Sequence, residues 1–197
     1  MDSKNTKKIV IVMVIISILL LVVVSLAFLF FFQNQEKDDK KVVKTASVSM
    51  TYKSTSNVVV LKNLTPMSDE VGKDLREEGS YFDFAVTSNV NDGAHIQYEI
   101  ALTKDKSSTI PDDNIRVYLE KQSSGTYSKV FDPMIFVSSK KKTKVGTPSK
   151  SMVLNKVSLS SDKVDNYRLR IWLKEGTVLT EPNPTYAVSV NVYGKAI

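Results

Sequence analysis

From Ile9 to Phe32 the chain runs for 24 residues without a charge, an Asn, a Gln, a Gly or a Pro. At 1.5 Å per residue a helix of that length reaches roughly 36 Å, enough to cross a hydrocarbon core of about 30 Å with modest tilt. A cleavable signal peptide has an apolar core of only about 7–15 residues, closed by a small-x-small site. Ser25 and Ala27 form such a pair, but cleavage there would leave Phe28 to Phe32 as an apolar flag on the mature protein. The sequence therefore predicts a retained signal-anchor helix over 9–32.

The flanks of this stretch set its direction. Lys4, Lys7 and Lys8 precede it, whereas Gln33 to Lys41 begin neutral and continue with mixed signs. The tendency of positive flanks to stay inside then gives a cytoplasmic head at 1–8, a polar stalk at 33–43 and an extracellular domain at 44–197. The partners expected from this layout are the membrane, through a single span, and proteins or further copies of the chain at the cell surface.

Charge and cysteine content exclude several function classes. Of the net charge of +6, the head holds three lysines against one aspartate, which leaves about +4 for everything after Phe32. A nucleic-acid binder would concentrate Arg, Lys and aromatics on one face. Here the excess is one cluster, Lys140, Lys141, Lys142 and Lys144, which reads as a solvated loop or as a contact for anionic surface polymer or lipid head groups. With no cysteine, disulfides, thiolate metal sites, cysteine nucleophiles and a lipid-modified N-terminal cysteine are all ruled out. An exported domain without disulfides fits the outside of a Gram-positive bacterium better than a small eukaryotic secreted domain.

After the stalk, apolar residues recur with period two, the spacing that puts them on one face of a strand. Ala46, Val48, Met50 and Tyr52 show it first, and Phe82, Phe84 and Val86 repeat it. It returns at Ile96, Tyr98, Ile100 and Leu102, at Ile115, Val117 and Leu119, at Tyr167, Leu169, Ile171 and Leu173, and at Tyr186, Val188, Val190 and Val192. Val58 to Leu64 and Val153 to Leu159 add two Val- and Leu-rich candidates. Asn91-Asp92-Gly93 and Ser123-Ser124-Gly125 read as hairpin turns, while Pro111 to Asn114 and Pro182 to Pro184 open later strands. The predicted fold is all-β: an antiparallel sandwich of jelly-roll or Ig-like type. One helix is expected at Ser68 to Glu78, with Ser68 as cap, Val71 and Leu75 on one face, and Gly79 as stop.

Chemistry-bearing motifs are sparse. His95, the single histidine, falls on the polar face of its strand, and the acidic groups at 68–70, 76–78 and 112–113 read as caps and turn formers. No phosphate loop, nucleophile elbow, zinc-protease motif or calcium loop occurs, so neither enzymatic activity, metal nor cofactor is expected. Arg168 and Arg170 share a face with Trp172 and Lys174, either a solvated outer face with Arg stacked on Trp or a docking surface.

Two blocks, Thr65 to Gly72 before the strand 81–90, and Asp165 to Glu175 before a closing strand ending Val190-Asn191-Val192-Tyr193-Gly194, resemble exported Gram-positive proteins of the TasA and camelysin type. The resemblance covers most of residues 44–197. It implies a jelly-roll-like sandwich, export to the surface or biofilm matrix and, in some members, fibres assembled by passing a strand between subunits. The retained helix departs from that pattern and favours a monomeric or laterally associating display protein. The edge strand expected at Lys44 to Lys53, with Ala46, Val48, Met50 and Tyr52 on its apolar face, is the element best suited to exchange between molecules. The leading expectation is a non-enzymatic anchored surface or matrix protein; the alternative is an anchored accessory component of a secretion, conjugation or division complex.

Overall fold

The alternation read from the sequence becomes two facing sheets in the computed structural model, which describes residues 46–52, 56–91 and 93–197, all within the unit Lys44–Ile197. The expected head, apolar helix and stalk lie outside the described residues. Among the described residues no helix is long and apolar enough to cross a membrane.

The elements in order are β1 (Ala46–Tyr52), β2 (Val58–Val60), α1 (Asp69–Lys73), β3 (Phe82–Val90), β4 (Ile96–Lys104), a 3-10 turn (Asp112–Asn114), β5 (Ile115–Ser123), β6 (Thr126–Lys129), β7 (Met134–Ile135), β8 (Ser151–Leu159), β9 (Lys163–Leu173) and β10 (Ala187–Ala196). One sheet has the order β1-β3-β9-β5-β6, with β7 also pairing β5; the other has the order β2-β10-β4-β8. Every ladder between these strands is antiparallel.

The six long strands from β3 onward alternate between sheets: β3, β5 and β9 in the first, β4, β8 and β10 in the second. Successive long strands therefore face each other instead of pairing. Each can bury its apolar row against the opposite sheet, which is the most effective use of a period-two pattern. Phe82, Phe84, Val86, Leu119, Tyr167 and Leu169 of the first sheet form one core with Tyr98, Ile100, Leu102, Leu154, Val188 and Val190 of the second. Phe84 stacks on Tyr167 with centroids 5.4 Å apart.

A polar knot crosses this core near one end. Tyr98 on β4 donates its hydroxyl to Asp165 on β9 at 3.3 Å and lies 3.2 Å from the Tyr167 hydroxyl, while Asn155 on β8 donates to Tyr167 at 3.4 Å. Lys121 on β5 completes the group with an ion pair to Asp165 at 2.8 Å. Burial, reinforced by Tyr167 and Asp165, pushes the Tyr98 phenol far above its usual range, so it remains a donor. A buried carboxylate is tolerated here because it is both paired and hydrogen-bonded.

Several elements differ from the sequence expectation. The turn at Asn91 to Gly93 is tight, with Ala94 N–H donating to Asn91 O at 2.9 Å, but it is an arch between sheets and not a hairpin. Both lateral sides of β3 are already taken by β1 and β9. By contrast Ser123 to Gly125 does close a hairpin, with Ser124 and Gly125 both at positive φ, as a two-residue turn with right-handed strand twist requires. Val58 to Leu64 shrinks to a three-residue strand.

The expected helix at Ser68 to Glu78 also shrinks, to Asp69–Lys73. Ser68 caps it as expected, but Asp74 N–H turns back to Val71 O and ends it after little more than one turn. Val71 is exposed, and the residue that meets the sheet is Gly72. A Cβ added at Gly72 would lie 2.2 Å from the Trp172 indole, so only glycine lets the helix lie this close. The fully buried indole N–H has no hydrogen-bond partner among the described residues, so the contact between Gly72 and the ring itself is one of packing.

Gly72→Ala is expected to overpack the seat and cost about 1–3 kcal/mol. Val71→Ala, one residue away and exposed, should change stability by less than about 0.5 kcal/mol. Urea unfolding of both variants checks the pair; equal effects would contradict the packing described.

Candidate functional site

The outer face of the first sheet is divided into a covered half and an open half. Residues 61–81 form a strap across it: Met67 bridges to Lys174, α1 sits on Trp172, and Arg170 donates to the Leu75 carbonyl at 2.8 Å. Two ion pairs pin the strap and the sheet beneath it, Arg116 with Asp69 and Arg170 with Glu120.

This cover corrects the reading of Arg168, Arg170, Trp172 and Lys174 as one docking row. Trp172 is 0% exposed and Arg170 5% exposed, while Lys174 is exposed at the strand end. Among the described residues no arginine stacks on Trp172. Arg168 instead packs its guanidinium against the rings of Tyr81 at 4.0 Å and Tyr127 at 4.5 Å. The physical reason is that residues pointing away from a core look solvated in sequence whether or not a distant loop folds back over them.

Where the strap ends, a hollow of about 490 Å³ opens on the same face. Its polar wall is the bidentate pair of Arg168 and Asp83, with Nε and Nη2 donating at 2.7 and 2.8 Å. The antiparallel register of β3 and β9 places these two residues directly opposite each other. Asp83 beside it, acting against a smaller effect of burial, holds the Arg168 guanidinium above its already high range, and the one-to-one ion pair leaves the wall without net charge. Ala85, paired with Asn166, keeps the floor shallow, and Gln122 and Tyr127, paired across the β5–β6 hairpin, form the far side. Thr51 of β1 closes the near side. Tyr127 is half-buried, and burial, ahead of the nearby Asp83 carboxylate, raises its phenol. The arrangement offers a neutral ion pair, two amide side chains, a hydroxyl and a pinned aromatic ring. Of the lining residues, sequence reading singled out Arg168 and, in another role, Tyr52; Asp83, Gln122, Tyr127 and Asn166 share the outward phase of Arg168, but their meeting depends on strand order.

The other candidate residues lie elsewhere. In β1, Ala46, Val48 and Met50 are half-buried and Tyr52 is 37% exposed, so its apolar row is seated but not sealed. As expected, β1 is an edge strand among the described residues, where it pairs with β3. His95 is exposed just before β4, and its carbonyl accepts from Ile197 N–H. Among the described residues no group of three or more His, Cys, Asp or Glu is placed to hold a metal ion.

Lys140, Lys141, Lys142 and Lys144 are all exposed, on a loop folded against the outer face of the second sheet. That loop is fastened by Glu99 of β4, only 2% exposed, whose carboxylate accepts from the hydroxyls of Thr143 and Thr147, each at 2.7 Å, and pairs with Lys156 at 3.3 Å. Glu99 alternates with the inward-facing Tyr98 and Ile100, and the loop covers it.

No family model matches the sequence, and no curated protein matches it. Among solved structures, the carbohydrate-binding module TmCBM61 in complex with β-1,4-galactotriose is 7% identical with a TM-score of 0.27, over 75% of this chain and 87% of that one. AvmM, which catalyses macrocyclization in alchivemycin A biosynthesis, is 8% identical with a TM-score of 0.25, over 73% of this chain and 94% of that one. Likeness at this level carries no argument about fold or function.

Burial pushes the Glu99 carboxyl up, but the Thr143 and Thr147 hydroxyls and Lys156 outweigh it and hold the group below its ordinary value of 4.5. A depressed carboxyl stabilises the fold above the unfolded value and loses that contribution as pH falls through the folded one. Glu99→Gln is thus expected to cost on the order of 1–3 kcal/mol at pH 7. The gap from the unsubstituted protein should narrow as the pH drops below 4.5. Denaturant titrations at pH 7 and pH 3 read this directly, and a constant gap would contradict it.

Proposed function

We propose that this chain is a non-enzymatic, membrane-anchored cell-surface or matrix protein that presents its β-sandwich outside the membrane for contacts with protein or surface polymer. The observation that carries the reading is the order of segments along the chain: a lysine-bearing head, 24 uncharged apolar residues, a polar stalk, and then a sandwich whose first strand, β1, is an edge. An edge strand directly after a stalk is available to its own sheet or to a neighbour's.

Three features support contact functions. The outer hollow presents unspent polar groups, the loop at Lys140 to Lys144 presents exposed charge, and β1 presents a partly seated strand. The alternation of long strands between sheets suits the jelly-roll class, and with it the resemblance to the TasA and camelysin type. Close approach helps hold β1 in its own sandwich: Val48 packs where a Cβ on Gly194 of β10 would stand, 2.3 Å from its methyl.

Protease added to intact protoplasts is expected to remove everything after the stalk and leave a small membrane-bound stub; full protection of the C-terminal part would overturn the orientation. Deletion of residues 44–53 should lower stability by a few kcal/mol, with Val48 and Met50 each contributing on the order of 1–2 kcal/mol. A peptide of that sequence added in trans should restore part of the loss. An unchanged melting temperature would remove β1 as an exchangeable element.

A further inference from the structure

We infer that the hollow bordered by Thr51, Asp83, Gln122, Tyr127, Asn166 and Arg168 is a binding site for a neutral saccharide unit of a surface polysaccharide. The inference deepens the reading of the chain as a surface-contact protein and rests on it for the place where the ligand is met.

Size comes first. A volume of about 490 Å³ falls within the roughly 300–1,000 Å³ typical of small-ligand pockets.

Charge then narrows the ligand class. The two oxygens of Asp83 are engaged by Nε and Nη2 of Arg168, so neither an anion nor a cation finds an uncompensated partner. Arg168 Nη1 is left without a partner among the described residues and remains a donor for an uncharged oxygen.

The remaining groups match a polyol. Asn166 and Thr51 spend none of their side-chain hydrogen-bonding capacity on protein partners among the described residues, and Gln122 spends only its Nε2, in a long bond of 3.4 Å to Gly125 O. An amide side chain offers a donor and an acceptor in one plane, and each sugar hydroxyl needs both. Tyr127 adds an aromatic body with a polar tip, held by its contact with Arg168, so little rotamer freedom is lost when a sugar ring packs on it.

An extended peptide is disfavoured by position. The floor of the hollow lies over β3 and β9, whose ladder groups are mutually paired, so a peptide seated on it would be held by side chains and not by strand addition. A saccharide needs side chains only.

The test uses the full chain in a detergent without sugar head groups, titrated calorimetrically with neutral gluco-, galacto-, manno- and N-acetylglucosamine oligosaccharides. One series is expected to bind, with Tyr127→Ala and Asn166→Ala each weakening it at least tenfold while leaving the melting temperature within a few degrees. Tyr127→Phe should retain most of the affinity, and Lys195→Glu, exposed on β10 of the other sheet, should leave it unchanged. Binding by no series, or binding insensitive to Tyr127→Ala and Asn166→Ala, would overturn the inference, as would competition by a neutral peptide at equal strength. Should Tyr127→Ala or Asn166→Ala fail to fold, protection of Gln122 and Asn166 side-chain amide signals by sugar in the unsubstituted protein decides the point. Saccharide binding together with a protease-protected C-terminal domain would remove the surface reading and leave the site; no binding with the domain accessible would remove the site alone.

Discussion

The seat of Gly72 on Trp172 governs how the outer surface of the first sheet meets water. Because no Cβ intervenes, one short turn of helix can lie flat on the indole, and the strap it belongs to reaches from the end of β9 back to the start of β3. Everything on that face follows from the reach of the strap. Trp172 and Arg170 are buried under it, Arg116 and Glu120 turn into clamps, and the hollow begins only where the strap rises into β3. A sheet face that would otherwise be a uniform polar surface becomes half foundation and half recess.

The two sheets are held by unlike means at different depths. In the middle, the apolar rows of strands that alternate between sheets meet directly, so each strand's neighbours in sequence are its partners in packing and not in hydrogen bonding. Near one end the tie is polar: Tyr98, Tyr167, Asn155 and Asp165 cross the gap with Lys121 beside them. Apolar packing supplies most of the stability and little registry, whereas directional bonds between four strands fix how one sheet sits on the other. The second sheet is finished outside by the lysine loop, and Glu99 fastens that loop by the same logic of a satisfied buried carboxylate.

Much of this was legible in the sequence, because burial with period two is a local property. The rows at Phe82 to Val86, Ile96 to Leu102, Ile115 to Leu119 and Tyr167 to Leu173 were each assigned to the correct face, and the Ser123 to Gly125 hairpin followed from turn chemistry alone. What escaped was whatever depends on contacts far along the chain. Asn91 to Gly93 has a hairpin's residues, yet β3 has no free side for β4. Ser68 to Glu78 carries a cap and an apolar pair, but helix length was set by the fit of Gly72 against a residue 100 positions later. Glu99 and Trp172 sit at outward positions and are buried by loops that no periodicity announces. The hollow is the same case: Arg168 stood out by residue type, and Asp83, 85 positions away, became its partner only through register.

The position of β1 carries a mechanical meaning. Its Ala46 end pairs with Val90 and is the end toward the N-terminus in sequence, whereas its Thr51 end borders the hollow. A pull applied to the chain ahead of Ala46 and resisted at the hollow would run along the strand, and the ladder between β1 and β3 would be loaded in shear. Its hydrogen bonds then share the force and must yield together, instead of opening one by one as in a peeled hairpin. A half-exposed edge strand is thus placed where a pull along its axis opposes its release.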